Sequence, residues 1–535
     1  MNETNGPHSL QLHAIAQRFA ALSREDQRAF LRRLADSDVD FRRLPIVRSG
    51  HNRAPLSSAQ RGLWFARQGA AYNLPAAVRL KGALRETALE KSFDELIRRH
   101  ESLRTTFRQE GERILQVIHE PGRFDLRRER LGAPPVAVET ELRRRIDEEA
   151  QRPFDLEAGP PLRVTLVELA PDDHLLLVTI HHIVADAASM QILIDEFASL
   201  YARMCCGATA SLPDLPIRYA DYAHWQQSWL DAGGGEPHLA YWRAQLGAER
   251  PILTLLSRRR QPVQSDRCGA RLVFQFDDLL TKRLRTLARA CDATLFMTLL
   301  AAFDVVLYRS TGQEDIRIGV PVANRNREET KGVIGLFVDV QLLRAQIDGR
   351  LRFADVVARV KAAAAGAQAH QDLPFERVVE ALHGENDGER RPAFQILFNH
   401  LRHDLRALRD LPELEAEFLR SDACTVKFDL ALDTTEDASG RLAATFTYAS
   451  DMFDPADIAG LRDHFENVLR HVVEDRFATV DAIELLGRDE KALLLGWSDP
   501  LAGTGSSPPS PSLSELLSSM ALAHAEREAV WCGGE

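Results

Sequence analysis

HLLLVTIHHIVADAASMQILIDEFASLY, residues 174–201, decides the architecture. Its first seven residues form a short, bounded apolar run, the pattern of a buried central strand. Its last part sets Met190, Leu193, Ile194, Phe197, Leu200 and Tyr201 at three- and four-residue spacing, the stripe of a helix packed on a core. Between them, residues 181–189 make a tight loop at the mouth of a sheet. That loop carries His181, His182 and Asp186. Loops held by a rigid scaffold are where chemistry concentrates.

The same alternation extends outward. Residues 162–180 read as two strands joined at Pro171, Asp172 and Asp173, and 87–100 as a helix whose stripe of Leu89, Phe93, Leu96 and Ile97 should pack on a sheet. Residues 10–41 read as a helical lead-in with apolar Ile15, Phe19, Leu22, Phe30, Leu31 and Leu34, ending near the breakers Pro45 and Ser49-Gly50. Beyond a polar, Gly-containing patch at 231–236, helices (279–290, 295–308) and strands (315–320, 338–343) recur. A chain of 535 residues exceeds what one core accommodates, so two α/β lobes of similar size are expected. A Pro-, Gly- and Ser-rich linker follows at 498–512, then a last helical segment, 513–535, as if the chain were cut where another domain begins.

With 45% hydrophobic and 27% charged residues the composition is that of an ordinary globular protein, and a net charge of -11 argues against nucleic acid as a partner. The runs 143–145 and 258–260, all arginine, read as solvated faces or loop. No run approaches the roughly 20 apolar residues of a membrane span, and MNETNGPHSL lacks the features of a leader, so no membrane insertion and a cytoplasmic location are expected. Cys205, Cys206, Cys268, Cys291, Cys424 and Cys532 show no metal-ligand spacing and read as reduced structural thiols; no metal is expected. No Gly-rich phosphate loop is present.

Histidine, with a free pKa near 6.5, exchanges a proton near neutrality and suits a general base acting on an amine or thiol. The carboxylate of Asp186 would either fix an imidazole or tie the loop to an arginine. Two histidines after a strand are as often structural as catalytic, and the bare pattern leaves both readings open.

The segment His181-His182-Ile183-Val184-Ala185-Asp186 resembles the HHxxxDG core motif of condensation domains of nonribosomal peptide synthetases. Other stretches resemble further motifs of that family in family order: SSAQRGLWF (57–65), RHESLRTTF (99–107), YADYAHW (219–225), IGVPVANR (318–325) with IGLFVD (334–339), HQDLPFE (370–376) and RPAFQ (391–395). Asp339 stands where asparagine is usual. The resemblance covers roughly residues 50–490, and 513–535 is similar to the opening of an adenylation domain.

The resemblance implies an α/β fold of two chloramphenicol-acetyltransferase-like lobes forming a V with a central tunnel. Expected divisions are a lead-in (1–49), N-terminal lobe (50–230), C-terminal lobe (231–497), linker (498–512) and the start of an adenylation domain (513–535). It implies amide formation between a donor acyl thioester and the amine of a carrier-bound aminoacyl acceptor. The partners would be peptidyl carrier domains with their 4'-phosphopantetheine arms and an adjoining adenylation domain, with no cofactor bound by the domain itself. His182 would be the central residue, supported by His181, Asp186, Ala187 and Ser189. Asp186 would form a structural salt bridge to Arg325 or Arg344. His100, His370, His224, Trp225, Arg61, Arg99, Arg104 and Trp64 would serve packing and support.

Two residues depart from the motif: Ala187 replaces its glycine and Ala188 the tryptophan that commonly follows. The alanine methyl would narrow the acceptor route or force a different loop dihedral, since only glycine reaches positive φ freely; loss of the indole would open space. Residues 71–75 and 427–430, with the helical lead-in, look most like domains joining a D-configured donor to an L-acceptor, with starter domains as near relatives. Because Met1 precedes a natural-looking sequence, the domain would open its polypeptide, taking either acyl-CoA or a chain from an upstream protein. The alternatives are a docking domain for carrier or tailoring proteins and a free-standing acyltransferase.

Overall fold

The computed structural model describes residues 7–36, 41, 44–66, 69–131, 138–208, 212–247, 249, 251–255, 267–382, 394–402, 404–421, 425–498 and 512–524. The arginine run 258–260, most of the linker 498–512, residues 391–393 and the stretch after 524 lie outside them.

The apolar run becomes the strand Asp173–His181, buried at every position after Asp173. It is third of five in a sheet ordered Leu414–Leu419, Asn73–Gly82, Asp173–His181, Leu162–Ala170, Arg127–Arg130. All its pairings are antiparallel except the last, which is parallel. Both faces are covered, which is why the run is continuous rather than alternating. Leu176, Val178 and Ile180 join the core under the helices Glu86–Arg99 and Ala187–Cys205, which pack side by side. Leu175 and Leu177 meet Leu142 and Ile146 of the helix Val138–Gln151 on the other face.

The second half builds a seven-stranded sheet in the order Asp339–Gln346, Asp315–Val322, Ile396–Arg402, Leu430–Glu436, Leu442–Ala449, Arg267–Gln275, Thr425–Val426. Phe303 of the helix Leu295–Thr311 lies 6.1 Å from the rings of both Phe398 and Phe446. The opposite positions on these strands, such as Asn399, Asp433 and Thr445, are half-buried. A three-stranded sheet of Arg53–Pro55, Arg113–Ile118 and Thr105–Glu110 completes the strands.

Sequence halves and sheets do not coincide. The edge strand of the five-stranded sheet, Leu414–Leu419, comes from the second half of the chain and pairs antiparallel with Asn73–Gly82. The compact units divide at another place, Met1–Ile483 and Glu484–Glu535, inside the stretch expected as the second lobe. In the smaller unit the helices Arg488–Ser498 and Leu513–Ala523 are described, the second opened by a capping box of Ser512 and Glu515.

The lead-in is two helices, Pro7–Ala21 and Arg24–Asp36. Ser23 interrupts them, its hydroxyl accepting the Asp26 amide at 3.2 Å. The break resets the helical phase, so the six apolar residues expected there share no single stripe. Phe19 is buried, with Phe30 and Phe41 at 5.4 and 5.1 Å, whereas Ile15 and Leu22 face water. No single helix among the described residues is long and apolar enough to cross a membrane.

Candidate active site

His181 ends the central strand, and the chain then makes one 3-10 turn, His182–Val184, before the helix Ala187–Cys205. The expected loop of 181–189 is therefore shorter, because the helix starts at Ala187. Asp186 caps it, accepting the Ser189 amide at 2.8 Å. Gln60, fully buried, donates to Ile183 O at 3.0 Å and supports the turn from beneath.

The imidazole of His182 lies 2.7 Å from Ala185 O through Nδ1. A carbonyl only accepts, so Nδ1 carries the proton and Nε2 is left with its lone pair. The residue keeps some contact with water while protein surrounds it. Desolvation, then the charge of Lys427, lowers its pKa to about 4, so the ring is neutral at neutral pH. His181 is lowered to about 4 by desolvation, then by His182, Lys427 and Arg163. Its Nδ1 accepts the Ile183 amide at 3.1 Å, and Phe154 meets its ring edge-on at 5.9 Å. His181 thus faces inward as support, and His182 holds the free lone pair.

Asp186 takes up five hydrogen bonds. Oδ1 receives the Ser189 amide and hydroxyl and one Arg325 nitrogen, at 2.8, 2.8 and 3.1 Å; Oδ2 receives the amides of Phe337 and Val338, both at 3.0 Å. Arg325 also donates to Thr330 O and Val333 O at 2.8 and 2.6 Å and stacks on Phe337 at 4.3 Å. Arg344, the other candidate, pairs instead with Asp315 at 2.9 Å, on the neighbouring strand. Tyr219 donates to Leu336 O at 2.6 Å, and a side chain on Gly335 would strike its ring at 2.0 Å. The 335–338 segment from the second half is thereby locked to the turn that carries His182.

Ala187 sits in the first helical turn with its side chain exposed, and Ala188 is half-buried. Among the described residues, those other than glycine with positive φ are Asp292, Asn324 and Glu413, so Ala187 carries no such strain. The altered dihedral expected for an alanine here does not occur, because the position is already helical. Of the supporting residues, His100 is buried against Glu196 at 2.7 Å, Trp64 fills the core, His370 stacks on Tyr241 at 4.0 Å, and Arg99 pairs with Glu196 at 3.1 Å. Asp339 accepts the Phe375 amide at 3.2 Å; burial and then the charge of Glu376 hold its carboxyl well above the usual range.

Residues 51–495 match the sequence profile of the Condensation domain. The chain belongs to the condensation-domain family. Among curated relatives of this condensation domain, one of the linear gramicidin synthase proteins of Brevibacillus parabrevis is 40% identical over 468 residues, 85% of this chain and 6% of that protein. One of the plipastatin synthase proteins of Bacillus subtilis (strain 168) is 35% identical over 451 residues, 82% of this chain and 17% of that protein. The chain thus spans a small fraction of these synthases. Among solved structures, the X-domain from teicoplanin biosynthesis superposes with a TM-score of 0.74 at 27% identity, covering 82% of this chain and 99% of that one. The first condensation domain of the CDA synthetase gives 0.69 at 22% identity, covering 81% and 99%, a likeness of fold.

Two residues of this condensation domain escaped the motif reading as parts of the site. Tyr72 places its ring 6.4 Å from that of His182 and 6.5 Å from that of His181, and Lys427 sets its ammonium 3.9 Å above the Tyr72 ring. Nothing in the local sequence joins positions 72, 182 and 427; the sheets do.

Proposed function

We propose that this domain makes an amide bond between a donor acyl thioester and the amine of a carrier-bound aminoacyl acceptor, with His182 at its centre. The observation that carries this reading is the Nδ1–H bond from His182 to Ala185 O, which leaves Nε2 free as an acceptor. An amine N–H bonded to Nε2 is oriented for attack on the thioester carbonyl carbon. The new C–N bond forms, the tetrahedral intermediate collapses, and the C–S bond breaks. The proton lost by nitrogen passes to the departing thiolate, so the products are an amide and a thiol. A base with pKa about 4 is too weak to strip a full ammonium, so His182 accepts from the neutral amine and moves its proton as the bond forms. Asp186 acts on architecture, with Arg325 as its partner, and Ser189 shares their network.

The relatives belong to peptide synthases, which supports carrier-bound substrates delivered on 4'-phosphopantetheine arms and an adenylation domain as neighbour. One observation favours a second reading. The X-domain of teicoplanin biosynthesis was also solved in complex with a second protein, OxyB, and here the motif carries Ala187 and Ala188. In that reading the domain docks a partner and makes no bond.

Purified protein given an aminoacyl carrier and either acyl-CoA or a peptidyl carrier as donor separates them. Amide formation lowered by about 10²–10⁴-fold in His182→Ala is the expected result. Product from acyl-CoA identifies a starter domain, and product from the carrier-bound donor alone an elongation domain. No product with either, with carrier binding intact, overturns the enzymatic reading in favour of docking.

A further inference from the structure

Lys427 sits on a short connection between the strands Thr425–Val426 and Leu430–Glu436, and both its flanks are pinned. Phe428 stacks on Phe394 at 5.0 Å, the Asp429 amide donates to Gln395 O at 3.1 Å, and Asp429 O accepts the Ala449 amide at 3.1 Å. Tyr72 is equally fixed: it ends the 3-10 turn Gly69–Tyr72, and the next side chain, Asn73, donates to Ala150 O and Arg152 O, both at 2.8 Å. Across this fixed frame the Lys427 ammonium lies 3.9 Å from the centre of the Tyr72 ring, whose neighbours are the two imidazoles. Among the described residues no carboxylate pairs with Lys427.

An unpaired cation seated on an aromatic face is attracted by the ring quadrupole and keeps its charge available to what stands beside it. Lys427 remains accessible to water, although enough protein surrounds it for desolvation to lower its pKa to about 8. The charged groups felt at the imidazoles are Lys427 and Arg163 on the positive side and Asp186 on the negative side. Arg163 stacks on Phe154 at 3.7 Å and pairs with Glu149 at 2.6 Å, and Asp186 is matched by Arg325 at 3.1 Å. The Tyr72 phenol is pushed upward by burial and stays neutral. Among the described residues, Lys427 is thus the cation beside the site whose charge no ion pair offsets.

We propose that Lys427 is a positioning residue of the reaction centre: held on Tyr72, it keeps the imidazole of His182 and the incoming amine uncharged and favours the negatively charged oxygen of the tetrahedral intermediate. This rests on the amide-forming reading above. A positive charge lowers the pKa of every cationic acid near it and stabilises every anion. It therefore acts on ground state and intermediate in the same sense. Its own loss of charge near pH 8 sets an upper limit to the active range.

Two measurements test it. The rate of His182 carbethoxylation against pH, located by tandem mass spectrometry, reports the neutral imidazole without turnover. Lys427→Met is expected to raise its midpoint by about one pH unit, as removal of a nearby like charge should, and Lys427→Arg to leave it in place. In amide formation Lys427→Met should lower kcat about tenfold with little change in KM for the acceptor; the wild-type rate is expected to fall above pH 8, and Lys427→Arg should remove that fall. Lys427→Gln serves if the methionine variant does not fold. A folded Lys427→Met or Lys427→Gln protein with the wild-type midpoint and pH profile overturns the proposal. A wild type that makes no amide overturns the amide-forming reading instead, while the carbethoxylation midpoint still reports on Lys427.

Discussion

His181 and His182 are lowered to about 4 by burial, and that has a consequence for stability as well as for reaction. In the unfolded chain both return to an ordinary value near 6.5, so between pH 6.5 and 4 the unfolded state takes up protons that the folded state does not. Stability therefore falls as pH drops through that window and levels off below it. Urea midpoints at pH 7 and pH 4.5 are expected to differ less in a His181→Gln/His182→Gln protein than in the wild type; an equal difference refutes the attribution. At Ala187 the helical backbone already suits alanine, so Ala187→Gly should cost about 0.5–1 kcal/mol in chemical denaturation without restoring any strained conformation. Ala188→Trp, filling space beside the turn, is expected to shift acyl-donor preference toward smaller donors in competition assays.

The element that matters most is the turn between the central strand and the helix Ala187–Cys205, because it is held from three sides. Gln60 supports it from below, Asp186 caps the helix behind it, and Arg325 with the 335–338 amides closes it in front. Asp186 and Arg325 are both deeply buried, so removing one partner strands the other's charge. Asp186→Ala should destabilise the fold by about 3–5 kcal/mol. Asp186→Asn, which retains an acceptor, should cost less; thermal or urea unfolding decides, and equal losses would deny the charge its part. Gly335→Ala drives a methyl to 2.0 Å from the Tyr219 ring. It should displace the 335–338 segment and lower both melting temperature and amide formation, whereas substitution at the open Gly460 should do neither.

At the scale of the whole molecule, Met1–Ile483 is one compact unit although it holds two large sheets. The strand Leu414–Leu419 leaves the second half to pair with Asn73–Gly82, and Ser421 just beyond it donates to Asp147 at 2.6 Å. With the Asp186–Arg325 clamp this makes independent unfolding of the sheets costly, so the unit should unfold in one transition. Of the six tryptophans, Trp497 and Trp531 lie beyond Ile483; in a Trp497→Phe/Trp531→Phe protein the fluorescence of Trp64, Trp225, Trp229 and Trp242 reports the part of the unit before residue 243, while helix content reports the whole of it. Fluorescence and far-ultraviolet circular dichroism should therefore trace coincident urea curves; separated midpoints would show that the sheets unfold apart.

The local pattern of residues 174–201 was sufficient for the strand, the following helix and the turn with two histidines, because a bounded apolar run and a three-four stripe are properties of neighbouring residues. The motif resemblance added the family and His182. It left Arg325 and Arg344 level, since both follow apolar strands in the second half, and it assigned Tyr72 and Lys427 no place at the site. Those matters depend on which distant segments the sheets bring together. Pairing across strands and the burial that follows from it turned Asp186 toward Arg325, sent 414–419 to the other sheet, and set an uncompensated ammonium beside a neutral imidazole. Charge and hydrogen bonding at a site act through space over a few ångströms, whereas the sequence orders residues only along the chain.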